Sequence, residues 1–235
     1  MLIEIFFWHP KLNKPFKRLC EWQTRKTSLG FYLFPNVYIL RLIVILLITF
    51  FVLFENVGYL GFSMNNLSIS FVAGLFLGFF AFFGLLKRSS ISLKKGLKGL
   101  KILFSENPLG FIVYSLFLLL CGGLIEELIF RGFFVSVCAG IFGFSGIVVA
   151  SVINIIWHLP TWYAYSKEPE AHELPKAEPP KVTSIKYALH VFPFVLVLSI
   201  IFYFTNNLTG PIVAHFLSDY AGYSIRKIKL NKTPY

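Results

Sequence analysis

Charge is what this 235-residue chain has least of. Asp, Glu, Lys and Arg together make up 14% of it, where a soluble domain carries about a quarter. That shortage excludes an ordinary soluble globular protein. Acidic residues are scarcer than basic ones, 11 against 22, and Asp219 is the sole aspartate. Cysteine is nearly absent. Cys20, Cys121 and Cys138 are odd in number and far apart, so neither a disulfide framework nor a zinc knuckle is expected, only free thiols. No pair of histidines stands one helical turn apart around a glutamate, which removes the zincin signature. No serine or cysteine sits in a nucleophile setting beside a base. No segment repeats another. The start, MLIEIFFWHP, carries Glu4 and no basic stretch before its short apolar run, so a cleavable signal peptide is not expected.

Apolar residues are what the chain has in excess. They make up 56%, and Phe alone contributes 28. Crossing the roughly 30 Å hydrocarbon core takes about 20 apolar residues. Six such runs can be read, at 37–54, 69–86, 109–134, 145–163, 185–204 and 208–226. The expected fold class is all-α: a polytopic membrane bundle of six or more helices enclosing a polar cavity. Residues 1–36 read as a basic interfacial arm, 37–226 as the transmembrane domain, and 227–235 as a basic tail. The segment 92–104 places Leu93, Leu97, Leu100 and Phe104 at helical spacing between lysines, the pattern of an amphipathic interfacial helix or a solvated basic connector. Residues 166–181, rich in Pro, Glu and Lys, read as a loop.

A net charge of +11 would ordinarily raise nucleic acid as a partner. Its distribution points elsewhere. The basic residues gather in the N-terminal arm, between spans two and three, after span four, and in the tail. The short loops 55–68 and 205–209 have no Lys or Arg. This is the positive-inside pattern, and it puts both termini in the cytoplasm. Membrane lipid and a membrane-associated peptide or protein are the expected partners. Nucleic acid is not, and the sequence is silent on oligomeric state.

Inside this apolar chain, GLIEELIFRGFF at 123–134 stands out. An ionised side chain in hydrocarbon costs roughly 3 kcal/mol or more. Glu127 and Arg131 are four apart, share a helical face and can pair. Glu126 lies about 100° away on a regular helix and has no partner on its own segment. One glutamate reads as structural and the other as working. Two further segments carry polar pairs at the same spacing, Asn154 with His158 and His215 with Asp219. Three such clusters on three spans imply one shared cavity. A buried glutamate can serve as base and then as acid in hydrolysis of an amide, while histidines orient water or stabilise an oxyanion. Glu126, His158 and His215 could also hold zinc from separate helices. Direct activation of water by glutamate is the favoured expectation, and no metal is assigned.

The run Glu126-Glu127-Leu-Ile-Phe-Arg131-Gly132 resembles the double-glutamate and arginine motif of the CPBP family. That family comprises CaaX prenyl endopeptidases and bacteriocin-processing or immunity membrane proteins, also called Abi. Its second motif, an aromatic before a histidine, is matched by Trp157-His158. Its third, a histidine followed four residues later by Asn or Asp, is matched by His215 and Asp219. The resemblance covers about 109–226 and implies an intramembrane protease. Glu126 and His158 would activate water, His215 and Asp219 would stabilise the oxyanion, and Glu127 and Arg131 would brace the site. Two positions depart from the pattern. Asn154 stands where the family often has Phe or Trp, and Asp219 where prenyl-specific enzymes carry Asn. An ionised Asp219 cannot donate a hydrogen bond, which weakens the case for a prenylated substrate more than for proteolysis. The same family supplies a second expectation, a non-catalytic membrane immunity or adaptor protein. One mismatch accompanies these readings. On straight spans of the stated bounds, Glu126 falls near the outer end of the third and His158 near the inner end of the fourth.

Overall fold

The computed structural model describes residue 43 and residues 60–88, 92–106, 108–167 and 180–230. Apart from residue 43, the first expected span, 37–54, lies outside the described residues, as do the N-terminal arm, residues 231–235 of the tail and most of the 166–181 loop. Within them the chain is helical, and no strand occurs beyond one isolated bridge between Phe62 and Asn207. The helices are α1 (Leu67–Arg88), α2 (Leu93–Glu106) and α3 (Pro108–Phe117), then α4 (Ser136–Phe142), α5 (Ser145–Lys167), α6 (Pro180–Thr205) and α7 (Thr209–Leu230). Two π-helical stretches, π1 (Leu118–Ile125) and π2 (Leu128–Val135), join α3 to α4. Helices therefore occupy five of the six expected apolar runs. Two of them, Leu67–Lys87 and Ser184–Thr205, are long and apolar enough to cross a membrane, with hydropathies of 2.3 and 2.1. Ser145–Leu159 is a shorter apolar helix.

The distribution of side chains on α1 is inverted relative to a soluble helix. Phe76, Phe79, Phe80 and Phe83 are exposed, while Ser70, Gly74 and Gly78 are buried. A water-facing helix would put polar groups outside and large apolar ones inside. Here the small residues face the protein, as they do where helices associate in lipid. Ser70, Gly74 and Gly78 recur every fourth residue and pack against Gly210, Ala214 and Leu217 of α7. Among the described residues this α1–α7 seam is the most extensive helix contact. A methyl group on Gly74 would collide with the backbone of Gly210, and one on Gly210 with that of Ser70. Ser70 also closes the seam chemically. Its Oγ donates to the Asn207 carbonyl at 3.0 Å and accepts from the Gly210 N–H at 2.9 Å. Gly74→Leu is expected to force the two helices apart and cost about 1–3 kcal/mol or more. A thermal unfolding midpoint in detergent equal to that of the unmodified protein would contradict this.

Three short connections lie at one end of the bundle. The Leu208 N–H donates to the Gly61 carbonyl at 3.0 Å, and Asn66 Nδ2 to the Thr205 carbonyl at 3.2 Å. Phe144, in the α4–α5 turn, packs its ring against Tyr203 and Phe204 at the end of α6. The described residues of these connections carry no Lys or Arg. Lys87 and the lysines of α2 fall at the opposite end. The asymmetry read from sequence is thus a property of the folded bundle. The amphipathic segment 92–104 is helix α2, and it leaves Leu93, Leu97 and Phe104 exposed.

The third segment is longer than 109–134. It runs on through α4 to Phe142 and stops at Gly143, whose φ of +59° suits glycine and ends the helix. The turn is Gly143 and Phe144. Glu126 precedes Gly143 by 17 residues, and His158 comes 14 residues after Phe144. Counted from this turn the two side chains reach similar depths, and the mismatch of the straight-span reading disappears. Its cause is the boundary at 134, which falls short of the point where the backbone turns.

Candidate active site

Each polar cluster of the sequence arrives from a different element. Glu126 and Glu127 sit between π1 and π2. In π geometry the i→i+5 bonds widen the helix, and such turns are frequent at functional sites. Asn154 and His158 come from the middle of α5, and His215 and Asp219 from the first half of α7. The structure brings Glu126, Asn154, His158, His215 and Asp219 together with Arg131 on the wall of one cavity of about 880 Å³, with Glu127 buried behind it. The cavity extends from Glu126 between α1, at Leu77–Leu85, and α6, at Tyr187–Leu198.

Glu126 Oε2 lies 3.3 Å from His158 Nε2 and 3.9 Å from His215 Nε2. The carboxylate is 7% exposed. Both histidines reach it with the same nitrogen because their other nitrogens are engaged. His158 Nδ1 is 2.9 Å from the Asn154 carbonyl. A carbonyl only accepts, so Nδ1 carries the proton, and Nε2 turns a lone pair toward Glu126 in the neutral ring. His215 Nδ1 donates to Glu127 Oε1 at 2.7 Å. Asp219 Oδ2 lies 3.8 Å from His215 Nε2. Rings hold His158 from two sides: Trp162 stacks on it at 5.6 Å, and Phe130 lies 5.6 Å away.

Glu127 and Arg131 form the expected pair, with Nη1 donating to Oε1 at 3.1 Å. They are 0% and 1% exposed. Arg131 Nη2 also donates to the Val195 carbonyl of α6 at 3.3 Å. The sequence missed the second partner of Glu127. Its Oε1 takes hydrogen bonds from both Arg131 and His215, so the bracing glutamate also fixes a ring of the site. Spacing within one helix cannot reveal a contact 88 residues apart. Trp162 was missed too, although it stands four residues after His158, the distance at which helical side chains meet.

The residues named as an alternative zinc set are Glu126, His158 and His215. Among the described residues, no three His, Cys, Asp or Glu side chains are grouped so as to hold a metal ion.

A carboxylate, two oriented imidazoles and a roomy cavity inside an apolar-skinned bundle match the build of a membrane-embedded peptidase. A family model described as Type II CAAX prenyl endopeptidase Rce1-like matches residues 108–221. That segment holds Glu126, Glu127, Arg131, Asn154, His158, His215 and Asp219, and its match agrees with the resemblance to the CPBP/CAAX protease family. No curated protein and no solved structure matches the chain.

Proposed function

We propose that this protein is an intramembrane endopeptidase that hydrolyses a peptide bond near the membrane interface. The observation that carries the reading is the approach of His158 and His215, from two helices, to one buried oxygen of Glu126 on a third. Glu126 takes a proton from a water molecule in the cavity as the water oxygen bonds to the scissile carbonyl carbon. His158, fixed by its bond to the Asn154 carbonyl, orients that water and Glu126. His215, held by Glu127, stabilises the charge that develops on the carbonyl oxygen when its ring carries both protons. Asp219 helps to set that ring. The carbon–nitrogen bond then breaks, and Glu126 returns its proton to the leaving amine. The substrate class is a lipidated, leader-bearing or single-span peptide or protein.

The proposed organisation is a transmembrane domain at 37–226 with the peptidase core at about 109–226. A basic arm and a basic tail flank it, both on the cytoplasmic side. The basis is the clustering of lysine-free connections at one end of the bundle, with lysines at the other.

Rigorously metal-free protein is expected to retain cleavage of a peptide pool in detergent, and to lose it only on Glu126→Gln. Activity that vanishes on metal removal and returns with stoichiometric zinc would overturn the water-activation mechanism. Binding of peptide without any cleavage would instead favour the immunity or adaptor expectation.

A further inference from the structure

Asn154 is one of the two positions at which the chain departs from the family's pattern. In the structure it is 4% exposed, and it lines the same cavity as Glu126, His158, His215 and Asp219. Its backbone carbonyl serves His158. Its side-chain amide makes no hydrogen bond to any of the described residues. The amide is open to the cavity and not sealed from it. The space needs no polar group for packing, since leucine has similar volume. The amide therefore faces the place where a substrate would sit, with donors to offer.

The four residues expected to act at the site, Glu126, His158, His215 and Asp219, are short of donors. With Nδ1–H of His158 committed to the Asn154 carbonyl and Nδ1–H of His215 committed to Glu127, neither ring offers an N–H to the cavity while neutral. Glu126 and Asp219 as carboxylates only accept. A peptide carbonyl that becomes an oxyanion needs a donor aimed at it. Among the uncharged cavity-lining side chains of this site, the Asn154 amide supplies one that is independent of any ring's protonation.

We infer that Asn154 is a catalytic residue whose Nδ2–H donates to the scissile carbonyl oxygen as the attacking water oxygen bonds to its carbon. The inference rests on the peptidase reading. It assigns to α5 a donor that a carboxylate at 219 cannot provide. When the intermediate collapses and the amine departs with the proton from Glu126, the carbonyl re-forms and the hydrogen bond weakens. No bond of Asn154 is made or broken.

The test uses the full chain in detergent and a pool of internally quenched peptides, with and without an attached lipid chain. Asn154→Leu preserves volume and leaves the backbone bond to His158 in place. It is expected to lower kcat by about 10²–10³ with KM nearly unchanged, the signature of a lost oxyanion donor. Adding Asp219→Asn to Asn154→Leu is expected to restore at least about a tenfold rate, because it returns an amide to the same cavity. Asn154→Asp, which keeps the shape and loses the donor, gives a second reading of kcat where the leucine variant folds poorly. A kcat within about threefold of the unmodified protein for either variant would overturn the assignment, provided Glu126→Gln is inactive. So would a rise in KM with kcat unchanged, since that marks lost binding common to ground and transition states. Cleavage by the unmodified protein no faster than by Glu126→Gln would remove the peptidase reading and this assignment with it.

Discussion

Glu126→Gln is expected to give a protein that folds as well as the original and cleaves at least about a hundredfold more slowly. Loss of a general base removes roughly 10²–10⁴ of rate. The amide keeps the size of the carboxylate but cannot take a proton from water. Folding should be spared because the carboxylate opens onto the cavity beside two histidines, and a single hydrogen bond is worth about 1 kcal/mol net. Two readings decide the matter: peptide cleavage, and the thermal midpoint in detergent. A Glu126→Gln protein that cleaves at the original rate would move the base elsewhere. One that no longer folds would make Glu126 a structural residue.

The opposite balance is expected at Arg131. Arg131→Ala leaves Glu127, which is fully buried, with His215 as its remaining partner among the described residues. Removing one member of a buried ion pair costs roughly 3–5 kcal/mol, enough to lower folded yield. Glu127→Gln strands the guanidinium in the same way. The double change Glu127→Gln with Arg131→Met removes both charges and should recover much of the stability lost by either single change. It should not recover activity, because His215 Nδ1 then faces a neutral and weaker acceptor. Stability and cleavage measured on the four proteins test this directly. A double variant as active as the original would show that Glu127 does nothing for His215. An Arg131→Ala protein of unchanged stability would show that the pair braces nothing.

The contrast shows which parts of the site could be read from the chain. Contacts within one helical turn were open to inspection. Glu127 with Arg131, and His215 with Asp219, can be inferred from a spacing of four and from the expense of charge among apolar residues. The all-helical class and the lysine-poor end came from composition and charge placement. Contacts between helices were not legible. Nothing in a spacing of 88 residues ties Glu127 to His215. The depth of Glu126 depended on the Gly143 turn, and hydropathy does not mark that turn because α4 beyond Phe134 is itself apolar. The α1–α7 seam did leave a trace, since Ser70, Gly74 and Gly78 fall at every fourth position. Small residues at that interval signal close approach between membrane helices.

The two π stretches on either side of Glu126 and Glu127 carry a consequence for how this motif tolerates change in length. A wide turn holds more residues than an α turn. The direction in which the glutamates point is therefore fixed by a count of residues upstream. Deleting one residue from Leu118–Ile125 would swing the downstream residues around the helix axis, and only tightening of that stretch toward α geometry would bring them back. Without that tightening Glu126 would leave His158, although every letter of the motif remained. Two chains with the same motif and a one-residue difference in this stretch are then not equivalent in chemistry, and a match of letters alone cannot tell them apart.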